Sequence, residues 1–304
     1  WGWGNNSSGE LGSNLKGKVY VPTKISGINN ATFISAGEGF SAAIVEGDIW
    51  TWGNNSYGRL GRDKTVPYGV PGKGISMEVK FSSIDCGQYF TVAKYIWNDP
   101  WNDEDLGAWG RNNSGQLGVG DEIDRLTLCT PHSLDGYHTI ELSAGREHVL
   151  ALQTDGEVYS WGRNSVGQLG LGDKNNYNEP MLIPNFRGIV FVEAAYEHSI
   201  AIKEDGTVYT WGEGRDGQMG NGNRGTSRSP VKVSGISNAK SASGGNSFTC
   251  VLDKNGKLFS FGDNTYGQLG VMSYVPVKVN FWDSLAAPEL TVKTSTYNSV
   301  TLTW

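Results

Sequence analysis

A chain of 304 residues can bury a large core or divide into two domains. Its 43 Gly stand beside 11 Trp and 13 Tyr, and disordered Gly-rich chains are poor in aromatics, so these glycines belong to turns between packed strands. The net charge is -6 with no Lys/Arg run, which argues against nucleic acid as the main partner, because phosphate binding needs clustered positive charge. Cys86, Cys129 and Cys250 are widely spaced and form no CxxC, so they read as buried thiols, not as a disulfide framework or zinc site. No apolar run reaches the ~18 residues of a membrane span.

In chain order, one stretch recurs. An aromatic-Gly pair begins each copy, at Trp3, Trp52, Trp109, Trp161, Trp211 and Phe261. The fourth copy reads Trp161-Gly162-Arg163-Asn164-Ser165-Val166-Gly167-Gln168-Leu169-Gly170. Intervals of 49, 57, 52, 50 and 50 residues mark a repeat architecture. Upstream of each pair lies a second block, such as Leu142-Ser143-Ala144-Gly145-Arg146-Glu147-His148, with counterparts starting at Ile34, Ile84, Val192 and Ala242. A hinge follows, as in Asp155-Gly156, Asp205-Gly206 and Asn255-Gly256. Such pairs predict type I′ hairpin turns, in which both central residues need positive φ. Val158-Tyr159-Ser160-Trp161 then alternates as a strand, with Tyr159 and Trp161 on one face. A fourth short run starts at a proline in Pro180-Met181-Leu182-Ile183, Pro230-Val231-Lys232-Val233 and Pro276-Val277-Lys278-Val279. Proline is tolerated at the first residue of a strand. Each unit therefore offers four short strands, and the proline run is expected to open the unit.

Together, the Ser/Cys-Ala/Gly-Gly-x-x-His/Phe block and Trp-Gly-x-Asn-x-x-Gly-Gln-Leu-Gly resemble the regulator of chromosome condensation repeat family across residues 1–282. That resemblance implies an all-β fold, a β-propeller of four-stranded blades. Complete blades are expected near 21–53, 70–110, 131–162, 180–212 and 230–262. Trp1 to Gly4 and Val275 to Val279 remain as parts of one closing blade in a parent of six or seven. Its middle strands would lie upstream of Trp1, and closure from both termini would remove exposed edges. The chain begins inside a repeat and reads as an N-terminally truncated piece of a longer protein. Residues 286–304 include Ala287-Pro288-Glu289-Leu290-Thr291-Val292 and Ser299-Val300-Thr301-Leu302-Thr303-Trp304, which resemble the first two strands of a fibronectin type III domain.

Comparison between repeats sorts the candidate residues. His148 and His198 each follow a Glu, which suggests acid-base or metal chemistry, but the same slot holds Phe40, Phe90 and Phe248. Phe neither transfers protons nor binds metal, so both histidines are assigned to the repeat core with Trp3, Trp52, Trp109, Trp161, Trp211 and Phe261. Gly118-Val119-Gly120-Asp121 and Gly170-Leu171-Gly172-Asp173 lack the following helix and Lys of a phosphate loop. Thr154-Asp155-Gly156 lacks the spacing of a sialidase-like Asp box. The most individual stretch is the insertion Tyr95-Ile96-Trp97-Asn98-Asp99-Pro100-Trp101-Asn102-Asp103-Glu104-Asp105. Long loops on rigid scaffolds concentrate function, and Trp is enriched at binding hot spots. Trp97, Asp99, Trp101, Asp103, Glu104 and Asp105 are therefore candidate partner-binding residues, although a neutral surface insertion would look the same. Calcium on Asp99, Asp103 and Asp105 would fit no EF-hand spacing. Arg224 and Arg228 are second candidates, for an acidic partner, against a solvated loop.

No catalytic set, metal cluster or cofactor fingerprint survives this comparison. The expectation is a non-enzymatic scaffold that binds a protein partner, or a glycan stacked on Trp97 and Trp101, through rim loops. The founding member of the family exchanges nucleotide on the small GTPase Ran and docks on chromatin. Exchange-factor activity is thus the alternative, although no position here matches the residues it uses. The fibronectin-like continuation points to a bacterial secreted or cell-surface setting.

Overall fold

The computed structural model describes residues 1–13, 15–62, 68–75, 78–97, 104–132, 134, 138–269, 273–278, 291–296 and 299–303. Among these residues, short alternating segments separated by Gly-containing turns form five four-stranded antiparallel sheets. Sheet I contains Ala31–Gly37, Phe40–Val45, Asp48–Gly53 and Gly72–Lys73; sheet II contains Val79–Cys86, Phe90–Trp97, Glu104–Gly110 and Arg125–Cys129. Sheet III contains Thr139–Ala144, His148–Gln153, Val158–Gly162 and Tyr177–Leu182. Sheet IV contains Ile189–Ala194, His198–Lys203, Val208–Gly212 and Ser227–Lys232; sheet V contains Ala239–Gly244, Phe248–Asp253, Leu258–Gly262 and Ser273–Lys278. Within each sheet the strands lie in chain order.

First strands of consecutive sheets touch one another, so they form the inner edge of the array. The core lies in the seams between sheets. One cluster joins Leu150, Leu152 and Val158 of sheet III to Val192, Ala201 and Trp211 of sheet IV. Equivalent seams join sheets I and II, II and III, and IV and V. With a neighbour on each side, the middle strands of sheet III are buried at every position, His148–Gln153 and Val158–Gly162 alike. Alternation there sorts residues between two seams, not between core and water.

Four expectations need correction. The proline-led strand closes a sheet instead of opening one: Tyr177–Leu182 pairs with Val158–Gly162, and Ser227–Lys232 with Val208–Gly212. Each blade is therefore shifted by one strand from the expected bounds. For the same reason Ser273–Lys278 joins Leu258–Gly262 in sheet V and is not part of a closing blade. Gly2–Asn5 pairs with Lys18–Thr23 in a two-stranded sheet. Trp3, assigned to the core, is 61% exposed, whereas Trp109, Trp161 and Trp211 are fully buried. Each buried Trp has a second strand of its own sheet beside it, as Val149 faces Trp161; among the described residues no strand lies on that side of Trp3.

The type I′ expectation also fails at Asp155-Gly156. Gly156 has φ 79, but Asp155 is not among the positive-φ residues. Gln153 N donates to Glu157 O at 2.9 Å and Glu157 N to Asp155 Oδ1 at 3.0 Å, giving a three-residue loop that ends in a Gly bulge. Two consecutive positive-φ residues occur instead at Glu46-Gly47, with φ 54 and 81, between the paired Val45 and Asp48. Thr291–Thr296 and Ser299–Thr303 form an antiparallel hairpin.

Candidate partner-binding face

The recurring stretch works as a staple between sheets. Trp161 Nε1 donates to Gln116 O at 3.0 Å, in the preceding repeat. Trp52, Trp109 and Trp211 donate to Glu10 O, Arg59 O and Gln168 O in the same way. The repeat Asn holds its own turn: Asn164 Oδ1 accepts from Leu169 N at 3.0 Å and its Nδ2 donates to Asp173 O at 3.2 Å. His148 and His198 are fully buried, and their Nε2 atoms lie 3.0 Å from Ser199 Oγ and 2.8 Å from Thr249 Oγ1. Burial drives both imidazoles down to a pKa of about 3. These side chains are occupied inside the fold and leave nothing to present to a partner.

At the inner edge each first strand is tied to the next. Cys86 N donates to Ser35 Oγ, Ala144 N to Asp85 Oδ2, Ala194 N to Ser143 Oγ and Gly244 N to Glu193 Oε1, at 2.9, 2.8, 3.0 and 3.4 Å. The acceptors occupy one slot of the repeat. Burial raises the pKa of Asp85, and it raises Glu193 to about 7 with help from the Asp85 charge. The next turn is tied as well: Glu38 N donates to Gln88 O, Gln88 N to Arg146 O and Arg146 N to Tyr196 O. These first strands and turns line a cavity of about 370 Å³. Among the described residues no group of three His, Cys, Asp or Glu is placed to hold a metal.

Around that mouth the side chains form a belt across four sheets. Gln88 Nε2 and Tyr89 OH donate to the two carboxylate oxygens of Glu38, at 2.5 and 3.0 Å. Arg146 Nε donates to Gln88 Oε1 at 3.1 Å and its Nη1 to Glu197 Oε1 at 2.6 Å. Arg163 Nη1 lies 2.9 Å from Glu147 Oε2 and 3.6 Å from Glu197 Oε1, and Arg111 Nη1 lies 3.9 Å from Glu147 Oε1. The Arg146 guanidinium also sits 4.9 Å from the Tyr196 ring centre.

One end of the belt departs from the repeat. Four repeats place Gln in the slot after the turn, and its Oε1 accepts a backbone N–H two residues earlier: Ser114, Val166, Asp216 and Tyr266 are the donors. The copy that begins at Trp3 has Glu10, whose Oε2 accepts from Ser8 N at 2.7 Å, and the copy that begins at Trp52 has Arg59, which has no acceptor to offer. There Tyr57 occupies φ 64, a strained conformation for an aromatic residue. The Arg59 guanidinium lies 4.5 Å from the Tyr89 ring centre and 5.6 Å from that of Tyr57; Arg111 lies 5.5 and 5.0 Å from the same rings. Tyr57 is 43% exposed and Arg59 only 2%.

A model of the RCC1-like domain matches residues 1–250 and one of the regulator of chromosome condensation repeat matches 239–268. The chain belongs to the RCC1-like domain family. The RCC1 domain-containing protein RUG3, mitochondrial, of Arabidopsis thaliana is 30% identical over 205 residues, 62% of this chain and 44% of that protein. The ultraviolet-B receptor UVR8 of the same plant is 37% identical over 107 residues, 35% of this chain and 23% of the receptor. The chain thus spans less than half the length of these curated relatives. Human WBSCR16 superposes with a TM-score of 0.78 at 22% identity, covering 91% of this chain and 77% of that one. Yeast RCC1 (Prp20), bound to Kap60, gives 0.80 at 19% identity, covering 92% and 71%.

In this RCC1-like domain the residues singled out in the sequence are scattered. Asn98 to Asp103, including Asp99, Trp101 and Asp103, lie outside the described residues. Trp97 ends the second strand of sheet II at 38% exposure, its ring 5.6 Å from Tyr95 in an edge contact. Glu104 and Asp105 already have partners in the chain, Lys94 Nζ at 3.5 Å and Tyr95 OH at 3.2 Å. Trp97 and Glu104 end the second strand and begin the third, so these strand ends lie opposite the belt, whose turns join first and second strands. Arg228 lies at the belt end, since its neighbour Ser227 pairs with Gly212, and its carbonyl accepts from Gly172 N at 2.8 Å. Arg224 precedes it in the connecting loop. The belt was missed because its residues sit inside the repeat stretches. The available signal was the disagreement at fixed slots: Arg59 among Gln, and Arg146, Glu147, Tyr196 and Glu197 after the inner Gly or Ala.

Proposed function

We propose that this RCC1-like domain is a non-enzymatic module that binds a protein partner through the face carrying the Glu38–Gln88–Arg146–Glu197–Arg163–Glu147–Arg111 belt. The observation that carries this reading is a half-exposed Arg–Tyr surface built from slots where the repeats differ. Arg and Tyr are enriched at interface hot spots, and a preformed ion-pair network holds them in place before binding. Affinity capture with the natural host's extract provides the test. Arg163→Glu with Arg146→Glu should lose a partner that Trp97→Ala retains; retention by the first variant and loss by the second would place binding at the insertion instead.

A second reading is a guanine-nucleotide exchange role. It is favoured by the likeness to yeast Prp20p, studied for its binding to Gsp1p and histones, which superposes with a TM-score of 0.74 at 21% identity over 92% of this chain and 73% of that one. Release of labelled GDP from Gsp1p, with and without this protein, separates the two: an unchanged rate removes the exchange reading and leaves partner binding intact. A glycan surface on Trp97 and Trp101 rests on those two side chains alone. Alternation in the C-terminal hairpin supports reading it as the start of a fibronectin type III sandwich, and that continuation is what favours a surface-exposed setting.

A further inference from the structure

We propose that the outer edge of sheet II, the strand Arg125–Cys129, receives an extended segment of another protein as a fifth strand. The segment is recognised by backbone hydrogen bonds at Leu128 and Thr130, by apolar side chains against Leu126 and by a Lys or Arg near Glu122 and Asp124. This is a second contact surface, and it does not rest on the belt.

The repeat supplies the argument. The last strand of each sheet named above lies at an edge. In six copies the residue before the aromatic pairs with Thr23, Gly72, Cys129, Met181, Val231 and Val277 on that strand. The residues that precede these partners are Pro22, Pro71, Leu128, Pro180, Pro230 and Pro276. In sheet III Ile183 N donates to Val158 O at 2.9 Å, so by alternation Met181 turns its backbone groups toward the third strand and Pro180 toward the open edge. The shared register turns Leu128 and Thr130 outward in sheet II. Proline blunts an edge because it removes a donor that would pair with an incoming strand. Of these six edges only that of sheet II keeps the donor, and among the described residues no turn or loop carbonyl takes the Leu128 N–H.

Packing accounts for the Leu128 side chain and not for its N–H. A Cβ on Gly107 would stand 2.6 Å from Leu128 Cδ1, so the leucine fills space over a small residue and rests against the core between sheets I and II. Around it the surface is open: Leu126 and Ile123 are each 65% exposed, and Thr127 and Thr130 are exposed as well. A Cβ on Gly58, in the neighbouring turn, would stand 2.7 Å from Leu126 Cα, so that turn closes the edge there. An added strand therefore pairs from Leu128 toward Thr130 and meets Leu126 through side chains. Outward backbone donors and acceptors select an extended chain. Charge selects against a second copy of this protein, which would bring a net charge of -6 and the same exposed Glu122 and Asp124 to the contact. Those acids favour a segment that carries a cation.

The test uses a fluorescein-labelled Lys-Val-Thr-Val-Thr-Val peptide, titrated into the whole protein and followed by anisotropy. Beside it runs the same peptide N-methylated at every residue after the first, which keeps the side chains and removes the backbone donors. The first peptide should bind with a Kd below about 1 mM, and the methylated one roughly tenfold more weakly or worse. Leu128→Pro installs the residue of the other five copies and should lose as much. Because that variant also empties the space over Gly107, hydrogen exchange on the unaltered protein gives an independent measure. There the peptide should slow the Leu128 and Thr130 amides and leave the edge amides of sheet III unchanged. Equal binding of the two peptides, a Kd above about 1 mM, protection elsewhere, or undiminished binding by a folded Leu128→Pro overturns the proposal. Self-association in sedimentation that Leu128→Pro abolishes gives the edge to a second copy and overturns it too. Arg163→Glu with Arg146→Glu should bind the peptide as the parent does, so this proposal and the belt reading stand or fall separately.

Discussion

Replacing both buried histidines by the phenylalanine that other repeats carry should flatten the acid limb of the stability profile. Ser199 Oγ donates to Gln168 O at 2.7 Å, so it can only accept from His148, which fixes the neutral ring with its proton on Nε2. Thr249, donating to Gln218 O at 2.8 Å, fixes His198 likewise. Nδ1 of each ring is buried without a hydrogen-bond partner among the described residues, so protonation there would place an unpaired charge in the seam. The folded pKa is depressed to about 3 in both cases, against about 6.5 in the unfolded chain. Below 6.5 the unfolded state takes up protons that the native state refuses, so stability falls as pH falls. At pH 5 this amounts to roughly 2 kcal/mol per histidine, about 4 kcal/mol in all. Phe40 already occupies this slot in sheet I, and Thr91, the counterpart of Ser199 and Thr249, donates to Arg59 O at 3.0 Å as they do to theirs. His148→Phe with His198→Phe should therefore cost about 1 kcal/mol per lost hydrogen bond at pH 7 and lose far less stability between pH 7 and 5. Urea unfolding followed by tryptophan fluorescence at pH 7, 6 and 5 measures both. A double variant that weakens on acidification as steeply as the parent would refute the buried-neutral assignment.

Trp161→Ala empties a fully buried slot and should cost about 3–5 kcal/mol, whereas Trp161→Phe, with Phe261 as precedent, should cost about 1 kcal/mol for the bond to Gln116 O; equal costs in urea titrations would contradict the staple. Gly162 has φ 99, and a Cβ there would stand 2.4 Å from Glu147 O, so Gly162→Ala should destabilise by about 1–3 kcal/mol more than Gly4→Ala, whose Cβ would meet nothing within 4 Å. Glu193 is opposite in sign to the histidines: with a folded pKa of about 7 against a usual 4.5, it loses stability as pH rises through that window. Glu193→Gln should match the parent near pH 4.5 and exceed it above pH 7 by at most roughly 3 kcal/mol; coincident profiles would contradict this.

The seams were legible because packing repeats itself: a Trp that staples one seam staples the next, and six copies aligned on themselves expose the slot. Which strand joins which sheet was not legible. A proline-led run fits either end of a sheet, and only the pairing of Tyr159 with Leu182 decides that it closes one. Turn type failed for a related reason, since Asp-Gly serves both a two-residue turn and a bulged three-residue one, and the loop length follows from where the ladder ends. The binding face was hidden more deeply. Belt partners such as Gln88 and Arg146, or Arg146 and Glu197, lie 58 and 51 residues apart and meet only because successive turns stack around the axis. Chain order displays a long insertion as a visible anomaly and hides a substitution inside a repeat. A repeat slot that has no packing duty can vary without cost, but Arg59 stands in a slot that has one. It gives up the turn cap that Gln supplies in four repeats and Glu10 in a fifth, and donates instead to Ser56 O of its own turn and Glu38 O of the neighbouring one, so a side chain that departs from the repeat still serves the fold by another route.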